Sequence, residues 1–335
     1  MKQARYFEKR EDAVQCFLCR HHCVIKKGHT GICGVRKNVE GVLVALTYAK
    51  AIAKHLDPIE KKPLFHFFPG SVSYSIATVG CNFRCLYCQN YDISQMPKEE
   101  GTILGEHYPP EEVVSDAENS GAKSIAYTYT EPTIFFEYAF DTAKLAKERG
   151  LYNIFVTNGY TEDKPLTDIK PYLDAANVDL KGFREEFYKK VCGATLKGVL
   201  DTLKHYKKLG IWIEVTTLVI PKYNDSDEEL KDIAKFIKNE LSEDTPWHVT
   251  AFYPTYKLLD APPTSAKTLR RAWEIGKSEG LFYVYTGNIP GEKGESTFCP
   301  KCGKVIIERV GFSIRKNNLK GSDCGFCGEK ISGIF

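Results

Sequence analysis

Cysteine constrains this 335-residue chain more than any other residue type: eleven of its twelve cysteines fall into groups built on gaps of two or three residues, and Cys192 stands alone. Thiols so spaced converge on a metal more readily than on one another. The opening residues, MKQARYFEKRED, lack the apolar stretch of a secretory signal, and no run of about 18 apolar residues occurs. A cytoplasmic protein with reduced thiols and no membrane association is therefore expected. With 43% hydrophobic and 12% aromatic residues the chain can build a substantial core, which excludes disorder as its main state. Isolated Cys192 reads as a small buried hydrophobe without a role.

Four regions follow from the pattern. Residues 1–45 hold Cys16, Cys19, Cys23 and Cys33 among several glycines, too little apolar material for a core unless a metal supplies folding energy. Residues 46–74 form a connector ending in the aromatic LFHFFPG. From 75 to 290, β-branched runs alternate with segments of helical period, the mark of repeated βα units around a parallel sheet. The strand candidates are 75–79, 124–130, 153–157, 177–181, 211–220, 248–253 and 282–286. Gly150 suits the left-handed end of one helix, and Ser226 with Glu229 makes a capping box opening another over 227–241. Six or seven units predict an α/β fold, a partial TIM-like (β/α)6 barrel, whose working residues lie at the C-terminal ends of its strands. Residues 291–335 form a terminal module.

Directly after the first strand of this series comes Gly80-Cys81-Asn82-Phe83-Arg84-Cys85-Leu86-Tyr87-Cys88. Three thiolates on a C-x3-C-x2-C loop are one short of a closed site, so an iron-sulfur cube held there keeps one iron open for an outside donor. The loop resembles that of the radical S-adenosylmethionine (SAM) superfamily, in which SAM chelates the open iron of a [4Fe-4S] cluster and is cleaved reductively to a 5'-deoxyadenosyl radical. That resemblance implies SAM contacts at later strand ends. Glu131, in Thr130-Glu131-Pro132, stands where relatives carry Gly-Gly-Glu to receive the SAM amino group, although both glycines are missing here, so Tyr127 or Thr128 could line the pocket instead. Asn158, in Thr157-Asn158-Gly159, and Asp179 with Lys181 match the Thr-Asn-Gly and Asp-x-Lys elements of glycyl-radical activating enzymes; His248 matches a late-strand histidine near the adenosyl group, and Tyr87 sits beside the third ligand. By themselves, Asn, Gly and Asp at strand ends are also ordinary turn residues.

Cys299-x2-Cys302-Gly303 and Cys324-x2-Cys327-Gly328, separated by 21 residues, form the paired knuckles of a zinc ribbon, a closed tetrahedral site that a rubredoxin-like iron would also fit. Arg309, Arg315, Lys316 and Lys320 would mark its surface if it met a macromolecule. The N-terminal set suits either zinc or a second iron-sulfur cluster, with His21, His22 and His29 close enough to compete as ligands.

Nearly the whole chain, through GHTGICGVR, GCNFRCLYCQN, AYTYTEPTIFFEY, VDLKGF, EVTTLVIP, FYP and TGNIPGE, resembles the radical SAM member of the AmmeMemoRadiSam system, a family akin to pyruvate formate-lyase activating enzymes. The resemblance implies a flavodoxin or ferredoxin type electron donor and AMMECR-type and Memo-type partners. It leaves the substrate open between protein, nucleic acid and small molecule, with glycyl-radical activation as a narrower alternative. Charge offers a different reading: residues 1–70 carry 13 Lys and Arg against 6 Asp and Glu, and residues 71–290 carry 25 against 32. Basic ends around metal modules would suit a non-catalytic adaptor for an anionic partner.

Overall fold

The computed structural model describes residues 1–289 and 293–335. At its centre is one eight-stranded sheet. β1 (Ala53–Pro58) forms one edge, and β2 (Val72–Ala77), β3 (Ser124–Tyr127), β4 (Tyr152–Thr157), β5 (Ala175–Asp179), β6 (Trp212–Val219), β7 (Trp247–Ala251) and β8 (Val284–Gly287) follow in chain order to the other. β1 is antiparallel to β2, and each later pair is parallel. A parallel order without reversal is the winding of a barrel rather than of a doubly wound sheet. Because, among the described residues, β8 pairs with β7 alone, the barrel stays open.

Six crossover helices join the seven parallel strands: α1 (Pro110–Asn119), α2 (Phe136–Glu148), α3 (Asp163–Ile169), α4 (Leu196–Leu209), α5 (Asp227–Phe236) and α6 (Ala266–Ser278). Six βα units and a closing strand thus match the expected series. Gly150 follows α2 at φ 78°, as a left-handed helix end requires. The capping box at α5 is half made: Ser226 accepts from Glu229 N at 3.2 Å, but the Glu229 carboxylate accepts from Phe183 N at 2.6 Å instead of reaching back. The helix expected over 227–241 changes to a π-turn at Ile237–Leu241.

The supposed connector supplies β1, whose AKHLDP lacks the apolar alternation that announces a strand. The N-terminal residues form two small antiparallel sheets, fastened to α2 by a buried ion pair. Arg36 Nη1 donates to Glu137 Oε2 at 2.8 Å, Nη2 to Oε1 at 3.0 Å, and Nη2 also to the Arg5 carbonyl at 2.7 Å. At the other end, Thr297–Phe298, Val305–Val310 and Ser313–Asn317 make a three-stranded sheet whose Ile306 packs with Cys299, Cys324 and Ile331 against Tyr283, Tyr285 and Phe65. Arg309 is not a surface residue of this module: it is buried between Glu60, Thr297 and the Phe65 carbonyl, which needs its donors. Pro290, Gly291 and Glu292, the end of the TGNIPGE segment and the expected boundary near 290, lie outside the described residues. Among those described, no helix is long and apolar enough to cross a membrane.

Candidate active site

A cavity of about 540 Å³ opens at the C-terminal ends of the parallel strands. Cys81, Cys85, Tyr87 and Cys88 line it from the loop after β2; Thr128 and Tyr129 from the end of β3; Asn158 from β4; Asp179 and Lys181 from β5. Thr216, His248 and Thr286 line it from β6, β7 and β8, and Phe312 reaches it from the C-terminal hairpin.

The cysteine loop is held by its own backbone. Arg84 N donates to the Cys192 carbonyl at 2.9 Å and Leu86 N to the Val191 carbonyl at 3.0 Å, so the segment before Gly193 grips the loop from outside. Cys81 Sγ accepts from Phe83 N at 3.3 Å and from Asn158 Nδ2 at 3.7 Å, and Asn158 Nδ2 also donates to Asn82 Oδ1 at 2.7 Å. Asn158 is thereby a brace for the loop as well as a lining residue. Gly80 precedes it at φ 100°, where a Cβ would meet Val35 Cγ1 at 2.7 Å, so only glycine fits.

Glu131 does not line the cavity. It is fully buried, its Oε1 accepting from Thr133 N (3.0 Å), Thr133 Oγ1 (2.6 Å) and Thr157 Oγ1 (2.7 Å), and its Oε2 from Asn158 N (2.8 Å). Burial raises its pKa, against which these four donors act. Two residues before Glu131, Tyr129 adopts φ 63°, with its hydroxyl bound to Asp57 and its carbonyl accepting from Asn90 Nδ2 at 2.7 Å. Those bonds hold a conformation that costs a non-glycine residue about 1–2 kcal/mol.

Lys181 Nζ lies 2.8 Å from Asp179 Oδ2. Burial would lower the lysine pKa, but Asp179 and Cys85 outweigh it and hold the group well above its ordinary value, so it is a fixed cation. His248 lines the floor with its Nε2 2.7 Å from Glu214 Oε2, and Glu214 also accepts from the backbone of Phe65 and His66 at 2.9 and 2.7 Å. Its ring is a wall, edge-on to Phe65 and stacked on Tyr285. Tyr87 is buried with its hydroxyl 3.7 Å from Cys192 Sγ.

Three features escaped the sequence reading. Thr216 Oγ1 and Thr286 Oγ1 are buried beside the cavity with no hydrogen-bond partner among the described residues, an arrangement that costs stability unless a ligand completes it. Alternation along β6 and β8 is the only signal for them. Cys192 packs against the site: burial pushes its thiol pKa up, and Cys85 and Lys181 bring it below the ordinary value.

The C-terminal thiols meet. Cys299 Sγ is 3.7 Å from Cys327 Sγ and Cys302 Sγ 3.8 Å from Cys324 Sγ, and all four lie within 4.8 Å of one another, as tetrahedral ligation of one metal needs. Cys16, Cys19, Cys23 and Cys33 line a narrow cavity of their own with His21, whose Nε2 is 2.9 Å from the Asn82 carbonyl. His22 instead pairs with Glu162 at 2.9 Å, and His29 bonds the Lys27 carbonyl at 3.0 Å.

The family model of the radical SAM superfamily matches residues 75–237. The uncharacterized protein MJ0808 of Methanocaldococcus jannaschii is 48% identical over 334 residues, 99% of each chain. The pyruvate formate-lyase-activating enzyme of Clostridium pasteurianum is 27% identical over 190 residues, 53% of this chain and 76% of the relative. Among solved structures, SuiB of Streptococcus suis bound to S-adenosylmethionine shares the fold with a TM-score of 0.52 at 14% identity, over 69% of this chain and 53% of that one.

Proposed function

Because the chain belongs to the radical SAM superfamily and is a radical SAM enzyme, we propose that Cys81, Cys85 and Cys88 hold its [4Fe-4S] cluster and that the adjoining cavity takes SAM. When bound, cluster and SAM supply a 5'-deoxyadenosyl radical that abstracts hydrogen from a substrate yet to be identified. One observation carries the assignment: three cysteines, the Asp179 and Lys181 pair, and Thr216 and Thr286 line one cavity.

The protein's share of the work is positioning. Lys181 and Asp179 orient the charged end of SAM, Asn158 and Tyr87 frame it, and Thr216 and Thr286 offer hydroxyls to its ribose or adenine. His248 walls the adenosyl side, its nitrogen committed to Glu214. Glu131 acts through Asn158 and is a positioning residue.

The finer family reading is the radical SAM member of the AmmeMemoRadiSam system, with AMMECR-type and Memo-type partners, a flavodoxin or ferredoxin type donor, a cytoplasmic setting and zinc in the C-terminal ribbon. The sulfur spacing of 3.7 and 3.8 Å supports a tetrahedral ion there. Likeness to the Clostridium activating enzyme supports glycyl-radical activation as a second reading. A glycyl radical appearing on a candidate partner, seen by EPR, distinguishes it.

The test is anaerobic reconstitution with iron and sulfide, reduction with dithionite, and measurement of 5'-deoxyadenosine from SAM. Product is expected from the native chain and not from the Cys81→Ala/Cys85→Ala/Cys88→Ala variant. Product from that variant would sink the assignment.

A further inference from the structure

The N-terminal thiols lie outside the cavity just described, and two properties of their surroundings bear on what they hold. One is breadth. Zn–S bonds of about 2.3 Å set tetrahedral sulfurs about 3.8 Å apart, and the C-terminal four obey this. Among the described residues, they are the one group of three or more His, Cys, Asp or Glu whose ligand atoms all lie within 4.8 Å of one another. Cys16, Cys19, Cys23 and Cys33 line one narrow cavity and Cys81, Cys85 and Cys88 line another, and among the described residues no three sulfurs of either set meet that limit. A cube of four irons and four sulfides stands between its cysteine sulfurs and needs a wider ring. The N-terminal set is built like the triad, not like the ribbon.

The other property is placement. The N-terminal thiols sit directly behind the cysteine loop. His21, between Cys19 and Cys23 in sequence, binds the carbonyl of Asn82 at 2.9 Å, next to Cys81. The Cys33 carbonyl would lie 3.1 Å from a Cβ on Gly80, so the two ligand backbones touch where Gly80 leads into Cys81. Lys98 stands within Coulombic reach of Cys33 on one side and of Cys81, Cys85 and Cys88 on the other. Its ammonium donates to neutral groups, the Phe83 carbonyl and Gln95 Oε1. A partly buried cation so placed balances negative charge on both sides.

We propose that Cys16, Cys19, Cys23 and Cys33 hold a second [4Fe-4S] cluster, which relays single electrons to the one at Cys81, Cys85 and Cys88; the relay rests on the function proposed above. In each transfer a low-potential one-electron carrier of the ferredoxin or flavodoxin class is oxidised as the N-terminal cluster is reduced. That cluster is then reoxidised as the inner one is reduced. No bond is made or broken and no proton moves in this step. The touching backbones of Cys33 and Gly80 shorten the path, and Lys98 offsets the extra charge wherever the electron resides.

Three full-length chains, reconstituted anaerobically with iron and sulfide, test this: the native protein, Cys81→Ala/Cys85→Ala/Cys88→Ala and Cys16→Ser/Cys19→Ser/Cys23→Ser/Cys33→Ser. Iron, sulfide and zinc are counted, and EPR spectra recorded after dithionite reduction. About eight iron atoms per native chain and about four in each variant are expected. The fully reduced native spectrum should be broadened by two neighbouring paramagnets rather than equal the sum of the two variants. A triad variant without iron and with a second zinc overturns the proposal and leaves the assignment of Cys81, Cys85 and Cys88 standing. A triad variant that keeps all the native iron sinks that assignment and leaves the N-terminal cluster standing. If the serine variant does not fold, native mass spectrometry of the unaltered chain decides between two four-iron clusters and one. Spectra that simply add overturn the relay.

Discussion

Glu131→Gln separates two roles for a residue that family resemblance places at SAM and the structure places inside the protein. The amide oxygen can keep the Oε1 seat and its three donors, but the new NH2 then faces Asn158 N, which Oε2 accepts from at 2.8 Å. The variant loses one hydrogen bond to a charged acceptor, about 1.5–3 kcal/mol, and leaves a buried donor unsatisfied, about 1–3 kcal/mol more. Because burial already disfavours the carboxylate, part of that loss is recovered, and a net of about 3 kcal/mol follows. An unfolding entropy of about 2.1 cal/mol/K per residue over 335 residues amounts to about 0.7 kcal/mol/K, so Tm should fall by about 4 °C. Calorimetry of the reconstituted protein measures this, and titration with SAM measures affinity, expected to change by less than about threefold. An unchanged Tm with SAM affinity reduced tenfold or more would show that Glu131 faces the ligand, and the positioning role would be refuted.

Arg36→Met should cost about 3–5 kcal/mol by stranding the buried Glu137 carboxylate, measured by chemical denaturation; equal stability of variant and native chain counts against the ion pair as the clamp of the N-terminal sheets. Lys181→Met, which deletes the fixed cation beside Asp179, should weaken SAM binding about tenfold, the 1.4 kcal/mol scale of one charge-assisted bond, while Tm moves little; unchanged affinity would remove Lys181 from the site. His66 is held neutral by burial, its pKa lowered from 6.5 to about 4, with Nδ1 donating to the Ser332 carbonyl at 2.7 Å and Nε2 accepting from Tyr285 at 2.6 Å. Since the unfolded chain binds the proton more readily, the contribution is full above about pH 6.5 and is lost as pH falls toward 4, about 3 kcal/mol in all. Thermal melts from pH 7.5 to 4.5 should show a slope that His66→Gln flattens, and an unaltered slope would refute it.

What the sequence revealed was whatever rests on spacing and period. The seven parallel strands are legible because strands buried on both faces read as β-branched runs, and the cysteine loop because ligand spacing is local. Strand β1 was hidden because its partner supplies the pattern that AKHLDP lacks. The direction of Glu131 was illegible for another reason: it depends on four donors from three residues, Thr133, Thr157 and Asn158, the last two of which only folding brings near. Arg309 looked like surface charge since Glu60, which it meets inside the protein, lies far away in sequence. Cys192 is buried, as its isolation suggests, but its neighbour Cys85 was illegible, since the backbone pairing of Arg84 with Cys192 is what brings the two together.

An unclosed barrel leaves two rims, and this chain guards them differently. β1 carries exposed Lys54 and His55 and ends at Pro58, which discourage a further strand from docking. At β8 the segment VYTG has neither charge nor proline, and Tyr283 and Tyr285 are shielded by Ile306, Ile331 and the C-terminal cysteines. If the four C-terminal thiols hold a metal ion, its loss would loosen the module packed over Tyr283 and Tyr285 and bare an apolar surface through which copies of the chain would be expected to associate.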